Sequence, residues 1–260
     1  MNFKKLFPLL LAFVPMMVSA QTYPIAIDDA NFPDANFRKY LLAKDYGKDG
    51  VLTEEEINGI KDLSISRAGI SNLKGIEFFT ALTVLVCYGN QLTALDVSKN
   101  TKLVHLNCSK NQLTSLDVSK NLALTELECA DNHLTSLDVS KHTELVQLWC
   151  YKNCLRELNV SKNTKLTHLN CYINCLTTLD VSKNTALTYL GYSQNGIKGA
   201  AMDDFINGLP KKTADQDCTL EIYNDSDENE GNECSASQVA AIKAKGWIPM
   251  FFNGTEWENF

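Results

Sequence analysis

Between residues 60 and 197, apolar side chains fall at fixed places and polar ones fill the gaps, with a period of 21 residues. Five full repeats begin at Leu82, Leu103, Leu124, Leu145 and Leu166, a shortened sixth begins at Leu187, and a degenerate earlier one runs from Ile60 through Leu63, Ile65, Ile70 and Leu73. A strict period of this length is the signature of a solenoid, in which each residue stacks on its counterpart one coil back, about 4.8 Å away where the segment is a parallel strand. Positions 1, 4, 6, 11, 14 and 16 of each repeat are almost uniformly Leu, Cys or Val and are expected to fill the interior. Each repeat is also double: LTHLNCYINC and LTTLDVSKNTA share LTxLx followed by Cys or Val. An extended segment on both sides of every coil is therefore expected, giving two narrow facing parallel sheets.

The remaining columns follow from the same stacking. Asn90, Asn111, Asn132, Asn153, Asn174 and Asn195 hold position 9, where amides can satisfy backbone groups left open as the coil turns. Cys87, Cys108, Cys129, Cys150 and Cys171 lie on the inward alternation between leucines and read as buried free thiols. Cys154 and Cys175 form a second, shorter ladder nearer the surface. Cys218 and Cys234 lie outside the ladders, bracket an acidic loop, and are expected to pair as a disulfide. Asp96, Asp117, Asp138, Asn159 and Asp180 make an outward column with lysines three residues on, which reads as a self-neutralising solvated face.

Outside the repeats the periodicity changes. Residues 31–59 read as helix, loop, helix, with Phe37, Tyr40, Leu41, Leu42 and Ile57 expected to cover the first coil. The loop from Asp45 to Glu56 resembles an EF-hand calcium loop at its first, fifth, sixth, eighth and twelfth positions. That resemblance implies oxygen ligands from Asp45, Asp49, the Val51 carbonyl, Glu56 and, through water, Thr53. Gly47 stands where a further ligand belongs, so the loop is either a weak Ca2+ site or a relic that caps the solenoid. After Gly196 a helix is expected over 200–208, a strand at 220–223, a helix over 237–245 and a terminal hairpin from Trp247 onward. The resulting division is 1–20, 21–59, 60–197 and 198–260: leader, helical N-terminal cap, repeats, and mixed α/β C-terminal cap.

The leader, MNFKKLFPLLLAFVPMMVSA, has a basic start, an apolar stretch and a small-residue exit, as signal peptides do, and implies export. Loss of Lys4 and Lys5 with it moves the formal charge from −7 to −9, which argues against nucleic acid and anionic lipid as partners. No later run is long and apolar enough to span a bilayer. Convergent catalytic groups are not apparent: His105 and His168 share position 3 three coils apart, His133 and His142 replace turn residues, and the serines recur as a turn ladder. An enzyme is not expected.

Repeats reading LTxLxCxxNxLTxLDVSKNTx resemble bacterial leucine-rich repeats, and the cysteine column resembles the cysteine-ladder branch of the internalin surface proteins. The resemblance implies a leucine-rich-repeat solenoid and attachment or recognition through protein binding on the concave strand face. The sequence departs from surface internalins in ending at Trp257-Glu258-Asn259-Phe260, without a sorting motif or immunoglobulin-like segment. The outward strand positions bring Trp149, Tyr151, His168, Tyr172, Ile173 and Tyr189 together as the expected ligand-binding patch. The expected partner is a protein or glycan on another cell surface or matrix, met by a monomer. Inhibition of a soluble enzyme and a passive envelope role are the alternatives.

Overall fold

A computed structural model describes residues 21–213, 216–224, 231–253 and 255–259. The leader lies outside the described residues, as does most of the acidic loop. Among the described residues the chain forms strands β1 (Ile25–Ala26), β2 (Val51–Leu52), β3 (Asp62–Ser64), β4 (Val84–Val86), β5 (His105–Asn107), β6 (Glu126–Glu128), β7 (Gln147–Trp149), β8 (His168–Asn170), β9 (Tyr189–Gly191), β10 (Thr219–Asn224), β11 (Ile248–Phe252) and β12 (Trp257–Asn259). Four helices accompany them: α1 (Ala35–Leu42), α2 (Glu54–Gly59), α3 (Ala200–Gly208) and α4 (Ala236–Ala244).

The repeats build one parallel sheet, β3 to β9, with each strand's central leucine opposite the next: Leu85, Leu106, Leu127, Leu148, Leu169 and Leu190. These leucines and the five ladder cysteines are fully buried. The expected second sheet is absent among the described residues; the second half of each coil contributes a single isolated bridge, Asp96 to Asp117. The reason lies in where its backbone groups go. Asp96, Asp117, Asp138 and Asp180 accept from the amides of Ser98, Ser119, Ser140 and Ser182 at 2.8–2.9 Å, and Asn159 does the same for Ser161. The chain then turns through bonds such as Asn100 N to Val97 O, 3.0 Å, and Leu103 N to Asn100 O, 3.1 Å. Side chains and tight turns take the groups a ladder would need. Serine donors also hold these aspartyl carboxyls below their usual range, with the lysines adding less than the column alone suggests.

Two asparagine ladders bind coil to coil. At position 9, Asn111 donates to Cys87 O and Cys108 O and accepts from Leu92 N, and the pattern recurs along the column. A second column at position 19 is equally buried: Asn121 donates to Val97 O and Asn100 O, and Asn163 and Asn184 repeat this. His142 occupies this column and is 1 % exposed, its Nε2 donating to Val118 O at 3.0 Å. It is thus a structural donor in the core, not a turn replacement.

Both ends are covered. Asp34 caps α1 by accepting from Asn36 N and Phe37 N, and its other oxygen accepts from Ser71 N, Ser71 Oγ and Asn72 N, tying the helix to the first coil. Phe37, Leu41 and Ile57 are fully buried there, whereas Leu42 is 41 % exposed and takes no part in the cover. At the other end β10 pairs in parallel with β9, β11 with β10, and β12 antiparallel with β11, so the cap continues the repeat sheet to ten strands. No described helix is long and apolar enough to cross a membrane.

The nine cysteines are free thiols. The expected Cys218–Cys234 bridge is not formed. Cys218 precedes the start of β10, while Asn232, two residues before Cys234, donates to Ile222 O further along that strand.

Candidate functional site

Along each repeat strand the central leucine points inward, so its two neighbours form rows on the outer face of the sheet. Register fixes these rows. One reads Asp62, Val84, His105, Glu126, Gln147, His168, Tyr189, Thr219; the next reads Ser64, Val86, Asn107, Glu128, Trp149, Asn170, Gly191, Glu221. The chain leaves each coil through a residue with positive φ: Arg67, Gly89, Lys110, Asp131, Lys152, Ile173 and Gln194. Only Gly89 announces that column in the sequence. Ile173, with φ of 49°, carries a β-branched side chain in a conformation that disfavours it.

Five of the six expected patch residues, all but Ile173, meet on this face in two groups. Trp149, His168 and Tyr189 form a triangle of rings with centroids 6.4, 5.9 and 5.8 Å apart. Tyr151 stacks on Tyr172 at 4.6 Å with 13° between the planes, and Ile173 follows directly in the chain. None is fully exposed; each is half-buried, the rings shielding one another as well as facing solvent.

Sequence reasoning passed over the polar floor of this patch. Asn170 Nδ2 donates to the Tyr189 hydroxyl at 3.0 Å, and that hydroxyl also meets the Glu221 carboxylate from the C-terminal cap. Gly191 makes room for both: a Cβ there would stand 2.8 Å from Asn170 Oδ1 and 3.0 Å from Glu221 Oε2. Burial raises the Glu221 carboxyl, against the opposing effect of the Tyr189 hydroxyl. Burial first, then the charges of Tyr151 and Glu221, push Tyr172 up to about 12. The glycine at position 5 of the sixth coil was the available signal, since that position otherwise carries a side chain.

Lower on the same face, His105 lies between two carboxylates: Nε2 is 3.1 Å from Glu128 Oε1 and Nδ1 is 3.9 Å from Glu126 Oε2. The Glu128 hydrogen bond raises the imidazole pKa; partial burial opposes this, and the charges of Glu126, Glu128 and Asp62 add to it.

The EF-hand-like loop does not gather its oxygens. Glu56 Oε2 accepts from Thr53 N and Thr53 Oγ1, both at 2.8 Å, completing the capping box of α2. Asp49 accepts from Val51 N at 3.2 Å and Asp45 faces Lys48 Nζ at 3.5 Å. A Cβ on Gly47 would stand 2.4 Å from Leu41 O, so packing of the loop under α1 favours glycine where a ligand residue was expected. In this arrangement Glu56 is engaged by Thr53 and Asp45 faces Lys48, and Gly47 packs the loop against Leu41 of α1.

The sequence matches no protein-family model. Internalin J of Listeria monocytogenes serotype 4b (strain F2365) is 42 % identical over 71 residues, which is 27 % of this chain and 8 % of that protein. In three dimensions the chain is similar to internalin C2 of L. monocytogenes, with a TM-score of 0.64 at 20 % identity over 89 % of this chain and 98 % of that one. It is also similar to a Shigella effector leucine-rich-repeat domain, with a TM-score of 0.57 at 21 % identity over 83 % and 88 % of the two chains. The chain thus has the leucine-rich-repeat fold, and a 71-residue stretch of it is similar in sequence to internalin J.

Proposed function

We propose that this is an exported, non-catalytic recognition protein that, as a monomer, binds a protein or glycan on another cell surface or on matrix through the outer face of its sheet. The observation that carries this reading is the convergence of Trp149, His168 and Tyr189 with the Tyr151–Tyr172 stack on one face. Rings with an apolar body and a polar tip are the side chains that gain most when a partner completes their burial. They stand on a regular sheet, so little ordering opposes association. Internalin-like architecture supports a binding role, and the leader sequence supports export.

The test compares the wild-type chain with Trp149→Ala and Tyr172→Ala for attachment to cultured cells and immobilised matrix, with melting temperatures measured alongside. A nearly unchanged melting temperature with attachment abolished is expected. Attachment that persists per folded molecule while the melting temperature falls would reduce the patch to a stabilising stack. Fractionation of producing cells should find the mature chain outside or at the surface; retention in the cytoplasm would contradict export.

A further inference from the structure

We propose that His105, Glu126 and Glu128 form a binding site for a divalent transition-metal ion, zinc or one like it, on the outer strand face. One ligand atom from each of the three lies within 4.8 Å of the others, the only such grouping of His, Cys, Asp and Glu among the described residues. Strand register builds it: His105 of β5 stands directly opposite Glu126 of β6, and Glu128 is the diagonal neighbour. Neighbouring strands hold all three backbones in the sheet, so the site is preorganised by the ladder and not by a loop.

The surroundings suit a metal. Asn107 Nδ2 donates to Glu128 Oε2 at 2.8 Å, which leaves Oε1 turned toward His105 and provides the outer hydrogen bond that metal-ligating carboxylates usually have. The side chains keep 26 %, 32 % and 28 % of their surface exposed, enough for an ion to enter and to retain water as its remaining ligands. Beside them in the sheet stand Val84 and Val86 of β4, which contribute no competing charge. One imidazole nitrogen with two carboxylates favours zinc over calcium, which prefers an all-oxygen shell. Two like-charged carboxylates sharing one imidazole are also relieved of their repulsion by a dication. Asp62, in the same row, adds to the negative field at His105.

Calorimetric titration of the full mature chain with zinc chloride tests this. One zinc per chain is expected, as a saturable heat. His105→Gln and Glu126→Gln should abolish the saturable heat with the circular dichroism spectrum unchanged; Gln at position 105 still offers a donor to Glu128, so the fold is not the variable. Asn107→Ala should weaken binding by about 10- to 100-fold. His133→Gln, on a turn, should change nothing. The exposed thiols of Cys154 and Cys175 are the rival donors, so Cys154→Ser/Cys175→Ser is titrated in parallel and should retain the site. Absence of saturable heat, its survival in His105→Gln, or its loss in the double-serine chain would overturn the proposal.

Discussion

Replacing Asp34 with alanine should loosen the N-terminal cap from the solenoid. One carboxylate oxygen serves the first turn of α1, accepting from Asn36 N at 2.9 Å and Phe37 N at 3.0 Å. The other serves the first coil, accepting from Ser71 N at 2.8 Å, Ser71 Oγ at 2.9 Å and Asn72 N at 3.2 Å. Loss of a helix N-cap costs about 1 kcal/mol. Hydrogen bonds to a charged group are worth about 1.5–3 kcal/mol each when buried, but water can replace some of these at the partly exposed Ser71 and Asn72. A total near 3 kcal/mol is therefore expected, with Asp34→Asn losing somewhat less because it keeps one acceptor.

Acid adds a second signature. Burial raises the Asp34 carboxyl and its donors outweigh that, so the folded value lies below the ordinary 3.8. The stabilisation is present above the unfolded value and is lost as the pH falls through the folded one; Asp34→Ala should lose that part of the acid slope. Urea unfolding at neutral pH and near pH 3, with hydrogen exchange over 35–42, measures both. A loss below about 0.5 kcal/mol, the range of inert surface changes, with unchanged protection of α1, would refute the assignment of Asp34 as the latch.

The other expectations concern core, ladder and strain. Leu127→Ala, at a fully buried central position, should cost about 2–5 kcal/mol in urea unfolding, and a loss under about 0.5 kcal/mol would contradict the shared core. Thiol labelling of the native chain near pH 8 should reach the exposed Cys154 and Cys175 first. The five ladder thiols, with burial pushing Cys87 and Cys171 up to about 12, should react only on unfolding; native-state labelling of Cys129 would refute the dry ladder. Ile173→Asn should relieve roughly 1 kcal/mol of left-handed strain while weakening attachment, whereas a drop in both would mean that Ile173 is held by packing alone.

The solenoid was legible because a 21-residue period forces identical positions into identical environments; Leu, Cys and Asn columns each have one physical solution. Elements of the C-terminal cap were legible too, since α3, β10 and α4 have ordinary patterns and Ser235 begins a capping box. The lack of a second sheet among the described residues was not, because LTxLDV has strand composition and what decides against a ladder is Asp96 binding the amide two residues on. Nor was the position-19 column, whose asparagines look like turn residues until stacking buries them and His142. On the outer strand face, the aromatic members could be read from spacing alone. Glu221 could not, because it comes from a strand of the cap whose pairing with β9 no period reveals. His105 was compared with His168 in its own row, when its partners stood on the adjacent strand at Glu126 and Glu128.

The central claim, that recognition uses the outer strand face, is tested most directly by site-specific photo-crosslinking on living target cells. A photo-reactive phenylalanine is placed at position 172 in the Tyr151–Tyr172 stack or, in a second chain, at position 120 on the exposed turn column. Saturable adducts from position 172, competed by unlabelled wild-type chain and missing from position 120, are the predicted result. Equal capture from both positions, or capture from position 120 alone, would contradict it.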